Sequence, residues 1–277
     1  MATRPRLTSM LIVLTGASSG IGRAAARALA ERGHDLAIVG RNPFRTHEVA
    51  RETGGTAFLA DFDKLADVRQ LAHELLAAYP IIDALGNNAG GIIAKRGLSA
   101  DGVERTWQHN VLAPFVLTQA LLPRLVESRA RVVFTGSEAN KWGRVDVANP
   151  GRDGKAWLRG APAYGAAKRA DIMLARELAR RKPALHVTSF HPGAVATGFA
   201  QLDASVLAPL IERVIRSPER GAQSLIGLLD GTVDAASGSY VDDDKRDRRV
   251  SRQALDPAEC TKLWDALEKQ ADELAAR

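Results

Sequence analysis

Two patterns of apolar and polar residues alternate along this chain. Short, almost continuous apolar runs are typical of strands buried on both faces, whereas longer stretches with an apolar residue every three or four positions are typical of helices. The apolar runs predict strands within residues 10–15, 35–40, 56–61, 81–90, 130–137, 184–193 and 238–243. The helical spacing predicts helices over residues 22–33, 65–79, 101–127 and 163–182.

The alternation also predicts the fold class. Continuous apolar strands separated by helices indicate a parallel sheet that is covered on both faces. Because crossover connections are right-handed, we expect an α/β chain with a single Rossmann-like, doubly wound parallel sheet flanked by helices on both faces. The ligand of such a sheet lies beyond the C-terminal ends of its strands. No repeat or linker interrupts the pattern, so a single domain is predicted over residues 1–277.

Composition and charge narrow the choice of partners and compartment. The chain has 38 Lys and Arg against 32 Asp and Glu, and its densest charged run, residues 242–249, is neutral in sum. Since cations and acidic residues are mixed, no nucleic-acid partner is predicted. Cys260 is the only cysteine, which excludes an intramolecular disulfide and favours the cytoplasm. His109 and His191 lack metal-ligand spacing, so no metal is predicted, and no apolar run approaches the roughly 20 residues of a membrane span.

The glycine-rich turn after the first strand suits a phosphate group. In "TGASSGIG", residues 15–22, three glycines (Gly16, Gly20 and Gly22) lie where the chain turns and a helix begins. Glycine lets the backbone approach a pyrophosphate, whose charge is favoured at a helix N-terminus. The spacing differs from G-x-G-x-x-G, and a simple tight turn between strand and helix is the alternative.

The end of the second strand indicates which dinucleotide would bind. An acidic residue there would bind the adenosine ribose of NAD, but this chain has Arg41. A guanidinium binds a 2′-phosphate in fork geometry, so Arg41 favours NADP(H), with an ordinary surface arginine as the alternative. Asp61, which closes the third strand, could accept a hydrogen bond from the adenine amino group or cap the next helix.

Residues 164–168, "YGAAK", bring a tyrosine and a lysine onto one face of a predicted helix, because the two are four positions apart. They are either an ordinary polar pair on a helix surface or a proton donor beside the cation that lowers its pKa. The five residues alone do not decide between these readings.

Six motifs taken together resemble those of the classical short-chain dehydrogenase/reductases. In the order typical of that family, they are "TGASSGIG" at 15–22, "NNAG" at 87–90, Asn110, "GS" at 136–137, "YGAAK" at 164–168 and "HPGAVAT" at 191–197. The stretches 217–225 and 254–267 resemble the retinol dehydrogenase-like carbonyl reductase subgroup, as does the long segment between Ser137 and Tyr164. The resemblance runs nearly from end to end.

The resemblance implies a catalytic set of Asn110, Ser137, Tyr164 and Lys168. Tyr164 would protonate the carbonyl oxygen as hydride arrives, and Ser137 would hold that oxygen by a hydrogen bond. Lys168 would lower the pKa of the tyrosine and bind the nicotinamide ribose, while Asn110 would anchor a water that leads to solvent. Because a free tyrosine has a pKa of about 10, the cation is needed for proton transfer near neutral pH.

The predicted NADP(H) site combines the glycine-rich turn and Arg41 with positions implied by the resemblance, in which Thr197 would meet the nicotinamide carboxamide. Its residues are Gly16, Ser18, Ser19, Gly20, Ile21, Gly22, Arg41, Asn42, Asp61, Phe62, Asn88, Ala89, Gly90, Tyr164, Lys168, Pro192, Gly193, Val195 and Thr197. The chain departs from the family pattern at Gly86, where an apolar strand residue is usual, and we expect looser packing there. Neither Ser18 nor Ser19 is basic, so the choice of NADP(H) depends mainly on Arg41.

Two segments are predicted to border the substrate. Residues 138–162 form an insertion at the mouth of the site, where Trp142 and Trp157 could line an apolar pocket or pin the insertion to the body. Residues 198–217 are amphipathic, include Phe199, and resemble the substrate lid of the family.

These features predict an NADP(H)-dependent oxidoreductase that transfers hydride between NADPH and an apolar ketone or aldehyde. By resemblance only, the substrate would be a retinoid-, steroid- or polyketide-like carbonyl compound. One alternative is a regulatory sensor that binds NADP(H) without turnover. Another is a nucleotide-sugar epimerase or dehydratase, whose members share the Tyr–Lys pair, although the length of the chain counts against it. The resemblance also suggests a homo-oligomer, but it does not transfer the membrane anchor of animal retinol dehydrogenases.

Overall fold

The computed structural model describes residues 9–93, 95–148, 150–151, 160–193, 217–242 and 250–276. Within these residues the chain forms a seven-stranded sheet in the order β3-β2-β1-β4-β5-β6-β7, and all neighbouring strands are parallel. The strands are β1 (Leu11–Thr15), β2 (Asp35–Gly40), β3 (Thr56–Leu59), β4 (Ala84–Asn87), β5 (Arg131–Thr135), β6 (His186–Phe190) and β7 (Tyr240–Val241). The predicted α/β fold with a doubly wound parallel sheet is confirmed.

Most strands are shorter than the apolar runs that predicted them. β4 occupies the middle of residues 81–90, and it pairs with β1 only from Ala84 to Gly86. The flanking apolar residues lie outside the strand. Of these, Ile82 is fully buried and its backbone N–H donates to Ser128 Oγ over 3.2 Å, whereas Ile81 is exposed. Apolar runs therefore located the strands correctly and overestimated their length.

The α-helices of the described residues are α1 (Gly20–Glu31), α2 (Pro43–Thr53), α3 (Leu65–Ala78), α4 (Arg105–Trp107), α5 (Ala113–Glu127), α6 (Ala161–Arg181), α7 (Pro218–Asp230), α8 (Arg252–Leu255) and α9 (Pro257–Ala275). The helix predicted over 101–127 begins instead at Arg105, and a π-helical turn over Gln108–Leu112 joins α4 to α5. Such turns are frequent at functional sites, and this one contains Asn110.

The prediction missed α2, α7, α8 and α9. α2 buries only Thr46, Val49 and Ala50, so its apolar pattern is short. Its capping signals are clear, because Asn42 Oδ1 accepts a hydrogen bond from Arg45 N over 3.0 Å and a proline follows at the first helical position. Capping residues, rather than periodicity, were the signal available in the sequence.

Two hydrophobic cores lie on opposite faces of the sheet. Alternate residues of β1 divide between them: Val13 joins the core under α3, α5, α6 and α9, whereas Ile12 and Leu14 join the core under α1, α2 and α7. All three side chains are fully buried. This is the arrangement expected of a sheet that is covered on both faces.

The packing around Gly86 is tight, and the expectation of looser packing there is wrong. A Cβ atom at this position would lie 2.7 Å from Leu14 Cδ1 and 3.4 Å from Leu229 Cδ1. These two leucine side chains fill the space that an apolar residue at position 86 would take. Side chains from β1 and α7 therefore fill the space that Gly86 leaves empty.

The helix α9 packs against α5 and α6 near the end of the chain. The ring of Trp264 contacts Phe115 edge to face, with centroids 5.1 Å apart, and Arg181 lies 5.2 Å from the same indole. None of the helices in the described ranges is both long and apolar enough to cross a bilayer.

Candidate active site

A cleft of about 560 Å³ opens beyond the C-terminal ends of the strands, where a doubly wound sheet binds its ligand. Sixteen of the residues predicted for NADP(H) line it: Gly16, Ser18, Ser19, Gly20, Ile21, Gly22, Arg41, Asn42, Asp61, Phe62, Asn88, Ala89, Gly90, Tyr164, Lys168 and Pro192. Gly193 lies one residue beyond this lining. Val195 and Thr197 fall outside the described residues.

The glycine-rich turn brings the backbone and the start of α1 to the floor of the cleft. Gly16 has φ +65°, and a Cβ atom there would lie 2.8 Å from Ala89 Cα. A Cβ atom at Gly22 would lie 2.2 Å from the Gly16 carbonyl oxygen. Within the described chain, the side chain of Ser19 makes no capping hydrogen bond to α1, so the first amides of the helix are available to an anion.

The "NNAG" loop after β4 is held rigidly beside this turn. Thr15 Oγ1 accepts hydrogen bonds from the backbone N–H groups of Asn88 and Ala89, each over 3.0 Å, and donates to the Gly86 carbonyl oxygen. Asn88 Nδ2 donates to the Thr15 carbonyl oxygen over 3.1 Å. The loop and β1 therefore form one fixed surface under the cleft.

One end of the cleft, which we call the β2 end, carries two arginines. Arg41 and Arg45 both line it, and Arg41 Nη1 lies 3.7 Å from Asp61 Oδ1. Asp61 does not cap α3, whose N-cap residue is Lys64, so that alternative is wrong. Instead Asp61 Oδ1 accepts a hydrogen bond from Asp63 N over 3.1 Å. Arg45 was missed in the sequence because it lies one turn into a helix that the pattern did not predict.

A polar cluster of Asp63, Arg105 and His109 lies between the β2 end and α4, and the last two of these residues line the cleft. Asp63 Oδ1 accepts a hydrogen bond from Arg105 Nε over 2.9 Å and lies 3.1 Å from His109 Nε2. Burial lowers the pKa of His109, and the neighbouring Asp63 opposes that shift. His109 therefore has a structural partner in this cluster.

Asn110 joins the π-helical turn to the loop after β4. Its Nδ2 donates to the carbonyl oxygens of Gly91 (3.0 Å) and Thr106 (2.8 Å), and its Oδ1 accepts from Gly91 N over 2.9 Å. A Cβ atom at Gly90 would lie 2.4 Å from Asn110 Oδ1, so only glycine permits this contact. The side chain fixes the loop directly, and its expected role in anchoring a water stays a prediction.

The opposite end of the cleft, which we call the β5 end, is lined by Tyr164 and Lys168, and Ser137 and Asp171 lie beside these two residues without lining the cleft. Tyr164 and Lys168 lie on one face of α6 and are 7 % and 4 % exposed, so they are not an ordinary surface pair. Gly165 allows the segment after β5 to approach α6, since a Cβ atom there would lie 2.7 Å from the Ala139 carbonyl oxygen. This contact brings Ser137 within hydrogen-bonding reach of Tyr164.

The protein groups together raise the pKa of Tyr164 above its ordinary value, although the charge of Lys168 acts to lower it, as expected. Burial of the phenol is the largest cause, because it penalises the phenolate. The charge of Lys168 and the hydrogen bond with Ser137 both favour the phenolate, but together they do not outweigh burial and the charge of Asp171. The Lys168 Nζ atom lies 5.6 Å from the centroid of the tyrosine ring.

The sequence did not predict a role for Asp171, which binds Lys168 at the β5 end. Its Oδ2 lies 2.9 Å from Lys168 Nζ, and the side chains of both residues are almost completely buried. An acidic residue inside the apolar stretch "ADIML", three positions after the lysine, was the available signal.

The predicted substrate residues lie mainly outside the described part of the chain. Trp157 and Phe199 are not among the described residues, nor is most of the segment 198–217. Trp142 follows a short 3₁₀ helix (Glu138–Lys141) and is 74 % exposed, so it does not pin the insertion to the body.

Comparisons with known proteins agree with this architecture. Residues 10–205 match the family model for short chain dehydrogenases. The proposed daunorubicin C-13 ketoreductase DnrU of Streptomyces sp. (strain C5) is 38 % identical over 266 residues, covering 94 % of this chain and 92 % of that protein. Retinol dehydrogenase 11 of Homo sapiens is 32 % identical over 273 residues, covering 94 % of this chain and 85 % of the human protein.

This chain is also similar to proteins of known structure. The RhlG/NADP active-site complex of Pseudomonas aeruginosa superposes with a TM-score of 0.69 at 25 % identity, covering 87 % of this chain and 98 % of that one. The family match extends over more than half of the sequence, and the two relatives align over almost all of it. With its parallel sheet and the cleft above it, the chain therefore belongs to the short chain dehydrogenase family.

Proposed function

We propose that this protein is an NADP(H)-dependent reductase of apolar ketones or aldehydes, with Tyr164 as the general acid and base. The observation that carries the proposal is one continuous cleft that has Arg41 and Arg45 at its β2 end and Tyr164 and Lys168 at its β5 end. NADP(H) has an additional 2′-phosphate at its adenosine end, which cations would bind. Hydride is transferred at its other end, the nicotinamide.

The residues at the β2 end support NADP(H) over NAD. Two guanidinium groups line the cleft there, and Arg41 is 62 % exposed in its side chain, so it is free to reorient towards a phosphate. Asp61 is a weak competitor for Arg41, because the pair is 3.7 Å apart and solvent screens it. That a similar structure is named as an NADP complex supports the same choice.

The residues at the β5 end support proton transfer to a carbonyl oxygen. NADPH, when bound, supplies the hydride. Ser137 would donate a hydrogen bond to the carbonyl oxygen, and Tyr164 would transfer its phenolic proton to that oxygen as the carbonyl carbon accepts hydride. Lys168 would then stabilise the phenolate until solvent returns a proton. The alcohol is the product, and the same steps run in reverse for oxidation.

The substrate class is inferred from the relatives and from the surface beside Tyr164. Relatives are named as a daunorubicin ketoreductase and as retinol dehydrogenases, which indicates bulky apolar carbonyl compounds. Ile92 and Ile93 line the cleft and give it an apolar surface.

The experiment is an assay of NADPH consumption against aldehydes, quinones, steroid ketones and aromatic polyketide ketones, with NADH in parallel. We expect turnover of one class, faster with NADPH, and loss of that turnover in Tyr164→Phe. Turnover that prefers NADH would refute the cofactor assignment. NADPH binding without turnover, unchanged in Tyr164→Phe, would favour a sensor instead.

A further inference from the structure

A buried carboxylate lies directly behind the Lys168 ammonium group. Asp171 follows Lys168 by three residues on α6 and is 2 % exposed. Its Oδ2 accepts a hydrogen bond from Lys168 Nζ over 2.9 Å, while its Oδ1 has no hydrogen-bond partner among the described residues. The proposed reaction does not use this carboxylate, and burying a charge is costly unless it is paired. Lys168 is the partner that makes the burial possible.

Asp171 also determines where the ammonium group points. A lysine ammonium has three N–H donors. One binds Asp171, a second donates to the Thr135 carbonyl oxygen at the end of β5 over 2.8 Å, and the third is left for the cleft that Lys168 lines. The Nζ atom is close to the loop after β4, since a Cβ atom at Gly90 would lie 3.6 Å from it. Two anchors from different elements thus hold the cation at the edge of the cleft.

The negative charge of Asp171 raises the free energy that is needed to ionise Tyr164. With Asp171 ionised, the three side chains of Tyr164, Lys168 and Asp171 are neutral in sum while the phenol is protonated, and they carry one negative charge once it ionises. Without the carboxylate, the same step would convert a net positive charge into neutrality. A buried site favours the smaller net charge, so the carboxylate favours the protonated phenol.

We propose that Asp171 is a positioning residue that biases the site towards carbonyl reduction. It holds Lys168 at the cleft and cancels the ammonium charge, so Tyr164 keeps its proton until the carbonyl oxygen takes it. The inference rests on the proposed function for the identity of the reaction. Burial raises the pKa of Asp171 to about 6, while the ammonium group of Lys168, 2.9 Å from its Oδ2, favours the ionised carboxylate. Asp171 is correspondingly one of the groups that raise the pKa of Tyr164.

Other charged groups on elements packed against α6 do not share this role. On the shorter elements that contact α6, these groups are Arg105, His109, Arg131, Glu138, Lys141, His186 and Arg252. The pKa of Asp171 responds to burial and to Lys168 alone. The charges of α9 meet the far turns of α6 instead, where Asp265 binds Arg181.

The test compares Asp171→Asn with Glu177→Gln, which removes a second buried carboxylate of the same helix away from the cleft. Glu177 is 1 % exposed and binds Arg180 and Arg181, so its loss controls for general destabilisation of α6. Ionisation of Tyr164 is followed by the ultraviolet absorbance of the phenolate, as the difference between each protein and the same protein carrying Tyr164→Phe. The titration is run with and without saturating NADP⁺, and folding is monitored by circular dichroism. The absorbance titration requires no substrate.

We expect Tyr164 in D171N to ionise at a pH lower by on the order of one unit, and E177Q to titrate like the wild type. Once a substrate is identified, the ratio of kcat for alcohol oxidation to kcat for carbonyl reduction at neutral pH should rise about tenfold in D171N, with compensating changes in the binding constants because the reaction equilibrium is unchanged. An unchanged or higher ionisation pH in folded D171N would overturn the proposal.

If D171N does not fold, Asp171→Ser provides the same neutral comparison. A shifted titration in a protein that turns over no carbonyl compound would support the charge coupling while refuting the proposed function. Failure of the proposal about Asp171 can therefore be distinguished from failure of the proposed function.

Discussion

The two ends of the cleft each contain a cation beside a carboxylate, but in opposite surroundings. At the β2 end the Arg41 and Asp61 side chains are 62 % and 29 % exposed and lie 3.7 Å apart. At the β5 end the Lys168 and Asp171 side chains are 5 % and 4 % exposed and lie 2.9 Å apart. Water screens the first pair, so its members can exchange partners at little cost. The second pair is desolvated, so its charges act strongly on any neighbour that titrates.

This difference indicates that the two ends contribute to different steps. Exposed guanidinium groups suit the recognition of a charged ligand, whose binding depends on salt and on the sum of several weak contacts. Buried groups suit the control of a proton, because each of them shifts the protonation state of the others. Changes at the β5 end should therefore alter turnover and its pH dependence, and changes at the β2 end should alter cofactor affinity and preference.

The largest effect is expected from Tyr164→Phe. Loss of the phenolic proton should lower kcat by on the order of a thousandfold, while NADPH affinity is retained. Steady-state kinetics and a fluorescence titration of NADPH test both parts. Tyr79→Phe is the control, because Tyr79 packs on Phe58 away from the cleft and its variant should keep full activity. Equal activity of the two variants would remove Tyr164 from the reaction.

A smaller loss of about a hundredfold in kcat/KM is expected for Ser137→Ala, because one donor to the carbonyl oxygen disappears. Since the hydrogen bond with Ser137 lowers the pKa of Tyr164, the phenol of this variant should ionise at a higher pH than that of the wild type. The pH profile of alcohol oxidation, which needs the phenolate, should move to higher pH accordingly. Ser9→Ala, on the exposed approach to β1, should change neither quantity.

At the β2 end, Arg41→Ala and Arg45→Ala should each raise KM for NADPH by about tenfold, because each removes a charged hydrogen-bond donor to the phosphate. The values of KM for NADH and of kcat should stay close to those of the wild type. Arg51→Ala is the matched control, since Arg51 is an exposed residue in the last turn of α2. A similar loss for both cofactors would mean that these arginines do not select NADPH.

The smallest effect is expected from salt alone. Raising the ionic strength from about 0.01 M to about 0.15 M shortens the screening length from about 30 Å to about 8 Å. KM for NADPH should rise a few-fold, because the β2 end is exposed. The pH at which Tyr164 ionises should hardly move, because the β5 end is buried. A large salt shift in the tyrosine titration would contradict the contrast between the two ends.

Local motifs allowed much of the fold and part of the candidate site to be predicted. The apolar strands and the glycine-rich turn could be read directly, because their physical requirements lie within a few consecutive residues. Tyr164 and Lys168 could be placed on one helical face for the same reason. The helix α2 was missed because its buried face has only three residues, although Asn42 and Pro43 marked its beginning.

Long-range packing hid the remaining features. Leu14 and Leu229 occupy the space beside Gly86, and these residues are distant in the sequence. Arg45 becomes visible as a ligand-facing residue only when α2 is placed at the end of β2. The sequence does not show that Asp171 and Lys168 are buried together, because their burial depends on the elements that pack against α6.

By itself, then, the sequence determined the order of the strands and of the helices α1, α3, α5 and α6, together with the turn that suits a pyrophosphate and the residue types at the β5 end. Short-range spacing specifies all of these. Tertiary structure alone decided the protonation balance among Tyr164, Lys168 and Asp171. That balance depends on how completely each group is desolvated and on which charge lies beside it. Spacing along α6 places the three side chains close together, but their burial arises only when α6 packs on β5 and the loop after β4.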